Sequence, residues 1–258
     1  MRAIRIERPA AGYFGPAYAV FYRWLIPPEQ NEAEARFLID RLRPRPGARW
    51  LDAPCGYGRH LAPLRGLRPD LRLSGGDLNR DYLLVPEVAA SAPACQCDLA
   101  RLPFADGSFH VVLNLLNSFG YRGGDGGGDR RDRRVLAELA RVARRGGRLV
   151  LDLPNRRAVL ATVRAEPIIR YGGAGLEAIE RFAWDRPSQC LVNRTSWRWP
   201  GGSEEARYRL RLYTPAQARR LIEGIGLGIE SMMGDFRGGR FDPHRSDRML
   251  IVARKNLN

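Results

Sequence analysis

The chain reads as an α/β protein built on a doubly wound, mostly parallel sheet with an inserted antiparallel β cap. Three observations predict this. Apolar strand-like runs alternate with helical patterns between residues 49 and 153. Asp52, Asp77, Asp98 and Asn114 sit at or near the carboxyl ends of successive strands, where sheets of this class bind ligands. Residues 165–213 then change character, into short alternating segments separated by turn signals.

The elements follow in order. Residues 1–30 hold Tyr13, Phe14, Tyr18, Phe21, Tyr22 and Trp24. Helical spacing sets Phe14, Tyr18 and Phe21 on one face, and Tyr22 joins them a turn later. Such a stripe either packs on the domain as core or covers a site as a lid. From Glu29 to Leu42, helical spacing links Ala33, Phe37, Leu38 and Leu42. Strand 49–53, helix 57–65, strand 71–77, helix 79–89, strands 94–98 and 109–115, helix 131–144 and strand 147–153 come next. The glycine-rich, charged stretch from Gly120 to Arg134 reads as a surface connection. Segments Pro167–Tyr171, Leu176–Trp184, Cys190–Trp199 and Ala206–Tyr213 alternate like strands. Their turns fall at Gly172-Gly173, Arg186-Pro187 and Gly201-Gly202.

Composition narrows the function. A chain of 258 residues is long enough for one well-buried α/β domain with an insertion. No apolar run approaches membrane-spanning length. The start turns from basic to apolar between Ala10 and Ile26, but Pro16 and Arg23 break the signal-peptide pattern, so a cytoplasmic protein is expected. The net charge of +15 invites a nucleic-acid partner. Lys255 is the only lysine, however, and the arginines are scattered except at Arg130–Arg134 and Arg141–Arg148. With abundant glycine, alanine and proline, this resembles a coding bias. Cys55, Cys95, Cys97 and Cys190 lack further ligands at metal spacing and read as reduced thiols. No metal is expected.

The segment Arg49-Trp50-Leu51-Asp52-Ala53-Pro54-Cys55-Gly56-Tyr57-Gly58-Arg59-His60 is the most specific. An apolar strand reaches an acid, a turn follows with two glycines, and a helix is predicted from about Arg59. Glycines admit close backbone approach to a ligand, and a helix amino terminus favours negative charge. Asp77 closes the next strand at a spacing that suits the two hydroxyls of a ribose. The pair resembles motif I and the following acidic position of the Rossmann-like class I S-adenosylmethionine-dependent methyltransferases. Later segments extend the resemblance: Asp98 to Phe104 with Asp106-Gly107-Ser108-Phe109, then Val135 to Val142 with Arg145 to Val150. The tail from Leu212-Tyr213-Thr214-Pro215 to Lys255 is similar to the family's last helix and two strands. Pro54 departs from the first glycine of the family motif, and His110 replaces the acid that commonly opens the fourth strand.

The resemblance implies S-adenosyl-L-methionine as cofactor. It implies backbone approach to the methionyl end and ribose at Gly56 and Gly58, with Cys55 in the same turn. Asp77 would accept from the ribose, Leu78 would flank the adenine, and Asp98 with Leu99 would meet its edge. Asn114 would serve the cofactor amine, Arg59 its carboxylate, and Asp52 the turn or the cofactor. Acceptor-side candidates are Tyr121, Asn117 and His244, the last in a hairpin over 235–245 that the topology sets at the carboxyl edge. The fourth strand ends Asn114-Leu115-Leu116-Asn117-Ser118-Phe119, without the Asn/Asp-Pro-Pro-aromatic motif of amino-methylating nucleic-acid enzymes. A small organic acceptor is therefore expected. An RNA or nucleotide methyltransferase using the arginine-rich surface, or a non-catalytic cofactor-binding protein, are the alternatives. The expected organisation is a lid over 1–30, a cofactor domain over 31–164 and 214–258, and an insertion over 165–213. That insertion reads either as a substrate cap or as a homodimer sheet.

Overall fold

A computed structural model describes residues 13–122 and 128–257. The first twelve residues of the expected lid and residues 123–127 of the glycine-rich stretch lie outside the described residues. The chain runs α1 (Pro16–Leu25), α2 (Pro28–Leu42), β1 (Arg49–Asp52), α3 (Leu61–Leu67), β2 (Arg72–Asp77), α4 (Arg80–Leu83), α5 (Pro86–Ser91), β3 (Ala94–Gln96), β4 (Phe109–Asn114), α6 (Gly128–Val142), β5 (Ala143–Pro154) and α7 (Arg156–Ala165). There follow β6 (Ile168–Gly173), β7 (Leu176–Asp185), β8 (Cys190–Trp199), β9 (Gly202–Arg211), α8 (Pro215–Glu223), β10 (Leu227–Met233) and β11 (Arg248–Lys255).

Among the described residues, seven strands form one sheet in the order β10-β11-β5-β4-β1-β2-β3. Only β11 runs against the rest. The order reverses between β1 and β4, which opens a crevice at their carboxyl ends. Period-two alternation sends successive side chains to opposite faces. Trp50, Val111, Leu113, Val150 and Leu250 pack with Leu38, Leu61 and Leu64 on one side. Leu51, Val112, Leu149, Leu151 and Ile251 pack with Leu136, Leu139 and Ile222 on the other. Burial on both faces is why these strands read as nearly unbroken apolar runs. Truncating one of these leucines, such as Leu113→Ala, costs about 2–5 kcal/mol.

The remaining four strands form an antiparallel meander, β6-β7-β8-β9. The chain after β4 binds its edge. Arg122 N–H donates to Arg209 O at 2.8 Å, and Arg211 N–H donates to Gly120 O at 2.9 Å. Its inner face packs on α1 and on the turn before it: the rings of Tyr13 and Trp197 lie 5.2 Å apart and those of Phe21 and Tyr171 5.6 Å.

Several boundaries differ from expectation. The helix expected from about Arg59 begins at Leu61, because Gly58 at φ +82° still belongs to the turn. The helix expected over 79–89 is two short ones. Pro86 holds Val85 extended at ψ 144° and breaks it. The strand expected over 94–98 ends at Gln96, and Asp98 occupies a turn, accepting from Ala100 N–H at 2.9 Å. Helix α7 was not anticipated, although two signals for it exist. Asn155 caps it by accepting from Arg157 N–H at 3.1 Å, and Val159, Leu160 and Val163 share the face packed on Leu191 and Leu210.

Candidate active site

A cavity of about 590 Å³ opens at the carboxyl ends of β1, β2 and β4. Seven of the sequence-derived cofactor candidates line it: Cys55, Gly56, Arg59, Asp77, Leu78, Asp98 and Leu99. Asp77 organises this end. Its Oδ2 accepts from Gly56 N–H and its Oδ1 from Asn79 N–H, both at 2.8 Å, so the glycine turn is tied to the end of β2. Burial pushes its carboxyl up to about 6, against the pull of those N–H groups. Each carboxylate oxygen keeps a lone pair for a further donor.

The two glycines of the turn have different reasons to be glycine. Gly56 lies at φ +52°, and a Cβ there would stand in open space. A Cβ on Gly58 would meet Val88 Cγ2 at 2.8 Å. Gly58 is thus required by packing against α5 and is not a cavity wall.

Asp52 and Asn114 lie behind the walls, at the ends of adjacent strands. Asn114 donates through Nδ2 to Ala53 O at 2.8 Å, while its Oδ1 and Asp52 Oδ1 are buried without a partner. Burial pushes the Asp52 carboxyl up to about 8; Arg59 opposes this and Asp77 adds to it.

Arg59 and His60 belong to one buried network with α2. The Arg59 guanidinium donates to Asn31 Oδ1 and pairs with Glu34 Oε2. His60 Nε2 lies 2.9 Å from the same Glu34 oxygen. Burial alone would raise Glu34, but His60 and Arg59 hold it at about 2. Burial and Arg59 lower His60 to about 4.

Of the acceptor-side candidates, only Tyr121 lines the cavity, its ring 5.0 Å from Phe14 and 5.4 Å from Tyr208. Asn117 sits in a left-handed turn at φ +56°, with Oδ1 buried and unpartnered, and is not a wall. His244 is exposed and outside the cavity; its backbone N–H donates to Asp242 Oδ1 at 2.7 Å. The loop between β10 and β11 does lie at the carboxyl edge, but it leans on α2 and His60 through Phe236. Sequence reasoning missed Tyr57, whose buried hydroxyl has no partner, and Arg131, which pairs with Asp98 at 2.7 Å. Arg131 stands in the Arg130–Arg134 run, where nothing local distinguishes one arginine from its neighbours. Among the described residues, no group of three or more His, Cys, Asp or Glu is placed to hold a metal ion. No helix there is long and apolar enough to cross a membrane.

Residues 51–151, from the first strand through most of the fifth, match the profile of the methyltransferase domain family. That stretch is similar to a methyltransferase domain, and it holds the Gly56 turn, Asp77 and Asp98. A demethylmenaquinone methyltransferase from Beutenbergia cavernae is 37% identical over 119 residues, 45% of this chain and 45% of that protein. The match therefore spans less than half of the curated relative. The crystal structure of a S-adenosylmethionine-dependent methyltransferase from Clostridium acetobutylicum aligns with 93% of this chain and 98% of its own, with a TM-score of 0.77 and 14% identity. SAM-bound CalS10, an amino pentose methyltransferase from Micromonospora echinaspora, aligns over 94% and 98%, with a TM-score of 0.64 and 18% identity. At such identities the structural likeness shows the fold alone.

The family's cofactor is S-adenosylmethionine, and the cavity suits it on its own chemistry. Gly56 lines it with open space where a Cβ would stand, and the Asp77 carboxylate beside it keeps lone pairs for further donors.

Proposed function

We propose that this chain transfers a methyl group from S-adenosylmethionine to a small organic acceptor held in the same cavity. One observation carries this reading. A single cavity is lined both by the Gly56 turn with Asp77 and by the aromatic walls Phe14, Tyr18 and Tyr121. Its volume falls within the roughly 300–1,000 Å³ of small-molecule sites.

At the cofactor end, Gly56 admits close backbone approach. Asp77 has lone pairs free for ribose hydroxyls, Leu78 and Leu99 flank the adenine, and Asp98 meets its edge. Arg59, held by Glu34, faces the carboxylate, while Asp52 and Asn114 support the turn from behind. The bound cofactor supplies an activated methyl on a sulfonium. The chain's own residues then have to orient the acceptor and exclude water. Helix α1 and residues 165–213 serve as the cover, and their rings make the acceptor end apolar. Tyr121 is the wall residue that orients the acceptor. His244 takes no part.

The test has two stages. S-adenosylhomocysteine titrated into the protein should bind one site per chain and raise the melting temperature by mass action. No heat and no thermal shift at millimolar ligand would end the methyltransferase reading. Labelled methyl from the cofactor should then enter a small-molecule extract and not total RNA. Label in RNA, with RNA affinity falling with salt at a log–log slope of about −0.7 per phosphate contact, would favour a nucleic-acid substrate.

A further inference from the structure

Among the described residues, four buried carboxylates have a cation or backbone N–H groups beside them, while Asp52 and Glu180 do not. Glu34 has Arg59, Asp132 has Arg122 at 2.6 Å, Asp152 has Arg248 at 3.0 Å, and Asp77 has two N–H groups. Glu180 on β7 is only 6% exposed, yet no Arg, Lys or His pairs with it among the described residues. This holds in a chain with 43 Lys and Arg. Its neighbours are hydroxyls: Tyr13 at 3.3 Å and Thr195 at 3.5 Å. The Thr195 hydroxyl lies closer to Asn193 Oδ1, at 2.6 Å. Its single hydrogen cannot serve both, so Glu180 is left with one long contact.

Tyrosine rings connect this carboxylate to the cavity. The Tyr13 ring lies 4.6 Å from that of Tyr208, which lies 5.4 Å from that of the cavity wall Tyr121. Tyr22 stacks at 4.2 Å on Tyr18, another wall. Burial raises the phenols of Tyr22, Tyr121 and Tyr208, and the Glu180 charge raises each further. Tyr121 lines the cavity, and Tyr22, Tyr208 and Glu180 stand behind its wall. On the same face of the sheet as Glu180, Asn193 Nδ2 is fully buried and donates to nothing. The set therefore lacks a cation for Glu180 and an oxygen acceptor for Asn193.

We propose, resting on the methyltransferase reading above, that the acceptor is an amine with a neighbouring oxygen, and that Glu180 behind its tyrosine ring binds the ammonium. An ammonium supplies both the charge and the N–H donors that a buried carboxylate needs. The negative faces of tyrosine rings favour the same charge. A quinone ring presents carbonyl oxygens only, which Glu180 repels. Glu180 recognises and positions the acceptor and takes no part in bond making.

The probes are trans-2-aminocyclohexanol and trans-1,2-cyclohexanediol, which differ only in amine against hydroxyl. Each is titrated into the protein saturated with S-adenosylhomocysteine. The amino alcohol should bind roughly 10- to 100-fold more tightly, the range for a hydrogen bond to a charged group. Glu180→Gln should abolish that preference and leave S-adenosylhomocysteine affinity unchanged. Equal binding of the two probes, binding of neither, or a preference that survives Glu180→Gln would overturn the proposal. The two probes on the unmodified protein decide the matter even if the variant does not fold. Failure of S-adenosylhomocysteine to bind at the outset would sink the parent reading instead.

Discussion

The surroundings of Glu34 and Glu180, two buried glutamates behind the cavity's walls, are opposite in kind. At the cofactor end, Glu34 is ion-paired to Arg59 and bonded to His60, so its charge is matched. Behind the tyrosine walls, Glu180 meets hydroxyls and, among the described residues, no cation. A matched buried charge holds a scaffold in place. An unmatched one costs stability, which is a reason to look for a ligand that completes it. The charge of Glu34 is matched before anything binds, and that of Glu180 is not.

Substituting each glutamate should expose this difference most strongly. Glu34→Gln leaves Arg59 buried beside a neutral amide and should lower unfolding free energy by roughly 3–5 kcal/mol. Glu180→Gln should leave stability unchanged or raise it. Urea denaturation of both variants gives the answer, and equal losses would erase the contrast between the two glutamates.

The cofactor end can be tested by itself. Asp77→Ala should weaken S-adenosylhomocysteine binding by about 1.5–3 kcal/mol, and Asp77→Asn by less, because the amide retains one acceptor oxygen. Calorimetry on the folded variants checks it; unchanged affinity would reduce Asp77 to a brace for the Gly56 turn.

The glycines separate packing from binding within one turn. Gly58→Ala drives a Cβ to 2.8 Å from Val88 Cγ2 at a left-handed φ and should cost about 1–3 kcal/mol of stability. Gly56→Ala meets open space, so its fold should lose only the roughly 1–2 kcal/mol of a left-handed residue. Its cofactor affinity should fall by more than that of Gly58→Ala. Melting curves with and without S-adenosylhomocysteine distinguish the two, and a reversed ranking would mean that Gly58 faces the ligand.

The smallest effect is in the sign of a pH slope. Glu34 is held at about 2, so its contribution is complete above the ordinary carboxylate range and is lost as pH falls toward 2. Burial raises Glu180, so its contribution is complete at low pH and is lost as pH rises through its shifted value. Glu34→Gln should flatten the acid limb of a stability–pH curve, and Glu180→Gln the limb above it. The same limb flattened by both would contradict the opposite environments.

Much of the cofactor end could be read from local chain. Asp52, Gly56, Asp77 and Asp98 each close or follow a strand, and strand ends in a doubly wound sheet converge whatever lies between them. The same reasoning overreached at Gly58, whose constraint comes from α5, and at His244, whose loop reaches the right edge but leans toward α2. Glu34 and Glu180 were invisible. Each sits in an ordinary polar pattern, one on an acid-rich helix and one on an alternating strand.

From the sequence alone came the alternation of elements, the class of sheet, the four-strand insertion and the cofactor turn. These depend on periodicity and on backbone geometry within a few residues, which short-range physics sets. Only the tertiary structure decided which side chains meet across the cavity. Tyr121 reaches Tyr208 because residues 120–122 pair with the edge of β9, and Arg59 meets Glu34 because α2 packs on α3. Those contacts join segments tens of residues apart, and only the docking of whole elements determines which polar groups lose their water together.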